Sequence, residues 1–411
     1  MHRITRIAIP ALAAWLVLTP AHADSILARL VGKKTSITRV EFDTPTGSMK
    51  VKLTGMIEFT EAEDDVRTID GHLLIEEKRS GSVQRVEIES EGSHGITRSY
   101  SIDGHSAAFE PAGRKWLGTV LPSVLRETAM DAPRRIKRLL DKGGPDAVLA
   151  EIDKIESDYA RRVYVGELSN SVTLDDKRLT RLLAATISGR SDYERRTSLN
   201  AIMARQKLAP SHQVQVLEGA ARLTSDYERR QVMIDLQPKM SADAPVAAAW
   251  QAAANKMTSD YEARLVIEAG AKRGAMTPAQ VDAALQGTLG LHSDYERRTA
   301  LVAIGRHLKT AGAPQVALYA KSVQGMHSDY ERRTALTTLF EQVRLDKAGC
   351  GSALDAIEGM SSDYEIGQVL MALARQMPND AELIKRYRKA ARALGDSARG
   401  QAERAIDHLA G

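Results

Sequence analysis

The sequence predicts a mostly α-helical protein: an α-solenoid of 34-residue helical hairpins preceded by a small antiparallel β domain. Three observations carry this prediction. HSDYERRTAL stands at residues 292–301 and again, letter for letter, at 327–336. Relatives of its serine fall at Ser157, Ser191, Ser225, Ser259, Ser293, Ser328 and Ser362, every 34 or 35 residues, and periods of about 20–50 residues mark solenoids and arrays. Ahead of them, residues 36–112 alternate apolar and polar side chains with the period of strands.

The chain starts with His2, Arg3 and Arg6, followed by the apolar run Ile7–Pro20 and the small-x-small site Ala21-His22-Ala23. That order reads as a signal peptide over residues 1–23. The run is shorter than the roughly 18–20 residues that span a bilayer, so no stable membrane insertion is expected. The expected product begins at Asp24, is periplasmic or secreted, and passes through a linker over 24–35. The formal charge is +4, of which Arg3 and Arg6 supply two. Charged residues make up 27% of the chain with the signs nearly balanced, which describes a solvated helical surface and not the basic footprint of a nucleic-acid binder.

The β domain is read over 36–112. Thr38–Phe42, Met49–Leu53, Leu73–Glu77 and Val83–Glu89 alternate, and Asp103-Gly104 between Ser99–Ile102 and His105–Phe109 is a two-residue hairpin signal. Asp70-Gly71 and Ser80-Gly81-Ser82 are read as further turns, giving a meander of five or six strands. Phe42, Phe59 and Phe109 are assigned to its core. His72, His94 and His105 lie beside turn glycines without ligand spacing and are read as surface histidines.

Residues 113–156 form a helical adaptor and first hairpin. Trp116, Leu117, Val120, Leu121, Val124 and Leu125 recur at helical spacing, with Pro122 able to bend or interrupt the helix. A second helix starts after Asp131 and ends at Gly143-Gly144-Pro145. The repeats occupy 157–396, and the final stretch 397–411, which overlaps the charged run Ala393–Leu409, closes the array as a capping helix.

The motif explains its own periodicity. Ser-x-x-Glu is a capping box, which assigns structural caps to Ser191 with Glu194, Ser225 with Glu228, Ser293 with Glu296 and Ser328 with Glu331. A loop such as Lys309–Pro314 ends the first helix, and a return helix such as Gln315–Met326 leads to the next cap. Eight residues after each serine stand Val165, Leu199, Met233, Ile267, Leu301, Leu336 and Leu370. Eleven after stand Leu168, Ile202, Leu236, Gly270, Ile304, Leu339 and Leu373. These columns share one helix face and define the buried stripe. The first arginine (Arg161, Arg195, Arg229, Arg297, Arg332) falls within that stripe, and the aspartate is expected to pair with the second arginine four residues on.

Tyrosine recurs in every copy but points away from the stripe. Internal repetition favours packing against the neighbouring repeat. The alternative is a partner-binding surface of Tyr193, Tyr227, Tyr261, Tyr295 and Tyr330 with Arg196, Arg230, Arg298 and Arg333, residue types enriched at binding hot spots. His292 and His327 in neighbouring copies start too far apart to share a zinc ion. Cys350 is read as a thiol in an interhelix loop. No HExxH, CxxC or glycine-rich phosphate loop occurs, so no catalytic residue, metal or cofactor is assigned.

The hairpins are HEAT- and TPR-like in period, but the consensus residues of tetratricopeptide repeats are absent. The SDYERR units, with WLGTVLPSVLRET (116–128) and GGPDAVLAEIDKIESDYARRVY (143–164), resemble repeats of uncharacterised exported bacterial proteins, some attached to BlaR1-type sensor metallopeptidases. The peptidase motif and membrane helices of those sensors are missing here, so the resemblance implies an envelope setting and no protease activity. The leading expectation is a non-enzymatic interaction scaffold binding a protein or envelope partner. The alternatives are an envelope hydrolase with a site between β domain and solenoid, and a binder of acidic envelope polymer through the arginine columns.

Overall fold

The computed structural model describes residues 37–44, 47–92, 95–310 and 312–409. The expected leader (1–23), the linker (24–35) and His94 lie outside the described residues. The chain forms two compact units, one reaching to Lys142 and including Lys154–Tyr164, the other comprising Gly143–Asp153 and Val165 onward.

The first unit holds a six-stranded antiparallel meander, β1 (Ile37–Thr44), β2 (Gly47–Phe59), β3 (Val66–Arg79), β4 (Ser82–Ser90), β5 (Ile96–Ile102) and β6 (His105–Ala107), each paired with the next. Alternate residues of the central strands, Met49, Val51 and Leu53, Leu73 and Ile75, Val86 and Ile88, form one apolar face. Helix α1 (Arg114–Thr128) adds Leu117, Val120, Leu121, Val124 and Leu125 to the same core. The helix therefore belongs with the sheet, since burying that face requires its apolar stripe. Phe59 is in this core, with Phe42 and Phe109 half-buried against it. Pro122 lies inside α1 without interrupting it.

Ser80-Gly81 and Asp103-Gly104 are turns with φ of 50° and 86°, and 50° and 81°, the left-handed pairs that tight hairpins favour. Asp70-Gly71 is not a turn. Gly71 lies within β3 opposite Gly55 of β2, with φ of 142° and 80° respectively. The two backbones approach so closely there that a Cβ on Gly55 would stand 1.5 Å from the Asp70 carbonyl oxygen. Glycine at that place permits a close crossing rather than a chain reversal.

Helix α2 (Ala132–Ile152) is broken at Gly143 and Gly144, where φ/ψ leave the helical region. The repeats then follow as hairpins: α3 (Asp158–Ser171) with α4 (Asp176–Ile187), α5 (Asp192–Arg205) with α6 (Pro210–Ala221), and α7 (Asp226–Leu236) with α8 (Ala244–Ala254). Next come α9 (Asp260–Lys272) with α10 (Pro278–Leu289), α11 (Asp294–Gly305) with α12 (Ala313–Gln324), and α13 (Asp329–Gln342) with α14 (Lys347–Ile357). The last pair is α15 (Asp363–Ala374) with α16 (Ala381–Arg392), after which α17 (Asp396–Ala405) ends the array. From α5 onward each first helix packs on the next first helix, and from α4 each return helix on the next return helix. No helix among the described residues is long and apolar enough to cross a membrane.

The columns carry the core of this array. All seven residues of the eighth column, and the six of the eleventh that have side chains, are buried; Gly270 is the exception. Cys350 is not in a loop. It lies within α14, fully buried, and burial pushes its thiol up to about 11. Ala348-Gly349-Cys350-Gly351 reads as a loop because of its glycines, but Asp346 caps the helix at the Gly349 amide.

Gly55→Ala is expected to lower the unfolding free energy by at least about 2 kcal/mol through backbone strain and the carbonyl clash. A urea midpoint equal to that of the unaltered protein would contradict this account of the crossing.

Candidate binding surface

Each residue of SDYERR has a defined partner, and most of these partners belong to a neighbouring repeat. The serine is the N-cap: Ser191, Ser225, Ser259, Ser293, Ser328 and Ser362 accept from the amide three residues on. The glutamate does not close the expected box. Its carboxylate is taken by the second arginine of the preceding repeat, as in Arg196 to Glu228 at 2.5 Å and Arg298 to Glu331 at 2.6 Å. Arg230–Glu262, Arg264–Glu296 and Arg333–Glu365 repeat the pair.

The cap amide is satisfied instead by aspartate. Asp226 Oδ2 accepts from the amides of Thr258 and Ser259, both at 2.8 Å. Asp192 binds Thr224 and Ser225 in the same way at 2.7 Å, Asp260 binds His292 and Ser293, and Asp294 binds His327 and Ser328. Asp329 binds Ser361 and Ser362, and Asp363 extends the series to the Gly395 amide before α17. The other aspartate oxygen takes the first arginine, three residues on, in Arg195–Asp192 and Arg229–Asp226. The expected pairing with the second arginine is thus replaced, because the first arginine is the one on the buried side. Burial works to raise these carboxyls, but the amide and hydroxyl donors, with the nearby arginine, outweigh it and hold Asp192, Asp226 and Asp329 below their ordinary value.

The first arginine caps the far ends of return helices. Arg195, Arg229, Arg297 and Arg332 are only 4–8% exposed. Arg332 donates to the carbonyls of Met326 at 2.6 Å and Glu358 at 3.1 Å, which lie at the ends of consecutive return helices. Arg297 likewise reaches Leu291 at 2.8 Å and Ser322 at 3.4 Å, and burial pulls its pKa below the usual arginine value. A cation suits the negative end of a helix dipole. The opposite ends of the first helices are also held across repeats: Gln206 donates to the carbonyls of Ser169 and Val172, and Gln376 to that of Phe340.

The tyrosines are not packed between repeats. Tyr227, Tyr261, Tyr295, Tyr330 and Tyr364 are 48–67% exposed, and Tyr193 is half-buried. Each ring is backed on one side by the second arginine of its own helix, with guanidinium carbons 4.9–5.2 Å from the ring centre at Tyr193, Tyr227, Tyr261, Tyr295 and Tyr330. That arginine is also held by the following glutamate, so the ring has a fixed floor. In the last copy Gly367 replaces the arginine, and Tyr364 is the most exposed of the row. Stacking is satisfied by the charged residues and the apolar columns, which leaves the tyrosines outside it.

The surface therefore consists of a repeated aromatic face whose arginines are already engaged. Arg196, Arg230, Arg298 and Arg333 support the rings and couple repeats. The backbone amides of His292 and His327 serve the aspartate contacts. His212, which the sequence did not single out, is buried and takes part in the α6 start, accepting at Nδ1 from the Ala209 amide, 3.3 Å away. Glu127, also unmarked by any motif, accepts from the amides of Glu156 and Ser157, as the aspartates do in later copies. In the sheet, His72, Glu87 and Glu89 bring ligand-type atoms within 4.8 Å of one another. His72 and Glu89 are cross-strand partners there, 3.5 Å apart.

No protein-family model matches the chain, and no curated protein matches it. One solved structure, described as "Computational Design of Self-Assembling Cyclic Protein Homooligomers", is similar at 15% identity over 68% of this chain and 93% of that chain, with a TM-score of 0.15. A likeness that slight carries no argument about this chain.

The aspartate contact predicts a pH signature. Asp226→Asn removes the charge but keeps the shape, and should cost about 1–3 kcal/mol at neutral pH. Because the folded-state pKa of Asp226 is lowered, its ionic contribution is complete above the unfolded value and is lost as pH falls through the folded one. The gap between the two proteins, followed by denaturant titration, should therefore close below about pH 4; a gap unchanged into stronger acid would rule out the ionic contact. Tyr261→Ala should cost no more than about 1 kcal/mol at any of these pH values.

Proposed function

We propose that the array is a non-enzymatic interaction scaffold and that its tyrosine face docks a protein partner. The observation that carries this reading is the exposed, regularly spaced row from Tyr227 to Tyr364, maintained on five consecutive first helices without a stacking role. Tyrosine supplies broad amphipathic contact area at low conformational cost, and the arginine floor reduces that cost further. An exported envelope setting is the finer part of the proposal. It rests on the leader-like residues 1–23 and on the resemblance of the SDYERR units to repeats of exported bacterial proteins.

The ion pairs weigh against the polymer-binding alternative. A binder of acidic chains needs cations whose charge faces outward, whereas Arg196, Arg230, Arg298 and Arg333 each engage a glutamate of the next repeat.

A photo-crosslinking residue placed at Tyr295 in cells should yield a discrete adduct with a second protein, and the same residue at exposed Glu218 on α6 should not. Purified Tyr261→Ala/Tyr295→Ala protein should lose that partner while melting at nearly the unaltered temperature. Equal crosslinking from both positions, or no adduct from Tyr295, would overturn the proposal.

A further inference from the structure

Strand register brings three ligand-type side chains together on the face of the sheet that turns away from its core. On β3, Leu73 and Ile75 are buried in the core and His72 lies on the opposite face; on β4, Val86 and Ile88 are buried and Glu87 and Glu89 lie on the opposite face. Pairing sets His72 opposite Glu89 and Leu74 opposite Glu87. The three groups therefore occupy adjacent places on two hydrogen-bonded strands, and their ligand atoms all lie within 4.8 Å of one another. His72 shows no ligand spacing in the sequence because its partners come from the next strand.

The contact between His72 and Glu89 is too long for a hydrogen bond. His72 Nε2 stands 3.5 Å from Glu89 Oε1, beyond the about 2.7–3.2 Å of N–H···O bonds. Two atoms bound to one tetrahedral zinc ion at about 2.0–2.1 Å stand roughly 3.3–3.4 Å apart, close to the distance found. The surroundings leave room for an ion. Thr54 faces His72 from β2, and Thr97 and Ser99 face Glu89 and Glu87 from β5, so these neighbours are small and uncharged. Thr54 Oγ1 also accepts from the His72 amide at 3.1 Å, which ties this part of β3 to β2. Glu87 bonds Arg85 through Oε1, and Arg85 stands 3.7 Å from Glu76. That contact steadies the Glu87 carboxylate and leaves its second oxygen for a cation. An ion pair with Arg85 accounts for Glu87 alone; it does not account for an imidazole and a second carboxylate converging on the same point.

We propose that His72, Glu87 and Glu89 form a zinc site on the open face of the sheet. An imidazole beside carboxylates suits zinc, whereas magnesium and calcium take oxygen shells. The side chains are half-buried or exposed, so small rotations bring one nitrogen and two oxygens to bonding distance. Three protein ligands leave a fourth tetrahedral position open for water or for a donor atom of another molecule. The site belongs wholly to the first unit and does not depend on the tyrosine face.

Zinc chloride is the probe, with magnesium chloride as its control, and the full chain is the sample. Calorimetric titration at neutral pH should show a saturable one-to-one zinc site that excess magnesium does not displace, and the ring resonances of His72 should move with the same midpoint. His72→Ala and Glu89→Gln should each weaken binding by about tenfold or more. His105→Ala, on β6 of the same sheet, should leave it unchanged. Melting curves without metal establish that the variants are folded; if His72→Ala fails this check, Glu89→Gln, at an exposed position, decides. No saturable zinc binding, displacement by magnesium, equal weakening in His105→Ala, or unaltered zinc affinity in a folded His72→Ala or Glu89→Gln protein would overturn the proposal.

Discussion

A carboxylate in the first turn of one helix holds the start of the next, and the array depends on that contact. Asp192, Asp226, Asp260, Asp294, Asp329 and Asp363 face amides that a helix cannot satisfy internally. Each contact therefore closes the hydrogen-bond account of one repeat with an acceptor from its neighbour. Hydrogen bonds to a charged group contribute about 1.5–3 kcal/mol, comparable with burying one large aliphatic side chain. Apolar columns alone specify that two faces meet. The carboxylate, reading two adjacent amides, specifies the register at which they meet.

The two arginines of the motif divide the remaining work according to burial. The first lies under the repeat and ties return-helix carbonyls together, where an unpaired guanidinium would be costly. The second lies near the surface and bridges a glutamate and a tyrosine ring. Glu127 shows how local the balance is. It accepts two amides in the aspartate geometry, yet burial outweighs the donors and raises its pKa, whereas the less enclosed aspartates are lowered. The signs differ because Glu127 is more desolvated and lacks the threonine hydroxyl and arginine donors that the aspartates gain.

The period, the hairpin and the apolar columns were legible because stacking imposes one contact on every copy, and repetition exposes it. Partner choice was not legible. A glutamate three residues after a cap serine suits a capping box, and an aspartate four before an arginine suits an intrahelical pair. Both groups were redirected to the neighbouring repeat, which no spacing within one repeat can reveal. The tyrosine column failed for a related reason: a repeated residue implies a repeated environment, and here that environment is an arginine floor beneath an open face. Asp70-Gly71 and Cys350 show the weakness of glycine as a local signal, since it marked a strand crossing in one case and a helix in the other. Glu127 and His212 share their roles with residues of other types, the aspartates in one case and Gln280 and Gln315 in the other, so repetition of one residue type could not pick them out.

Repetition also changes what counts as informative. Once the regular positions are explained by stacking, a departure from them is a local alteration whose consequence can be traced. Gly367 removes the support of Tyr364, and that ring becomes the most open in its row. Gly270 removes a core side chain just where Trp250 and Gln237 bring polar groups into α8 and the end of α7. In the first case the change affects only the surface. In the second, the Gln237 side chain takes up the space, with its Nε2 3.2 Å from where a Cβ on Gly270 would stand, so a polar group replaces apolar volume in the core.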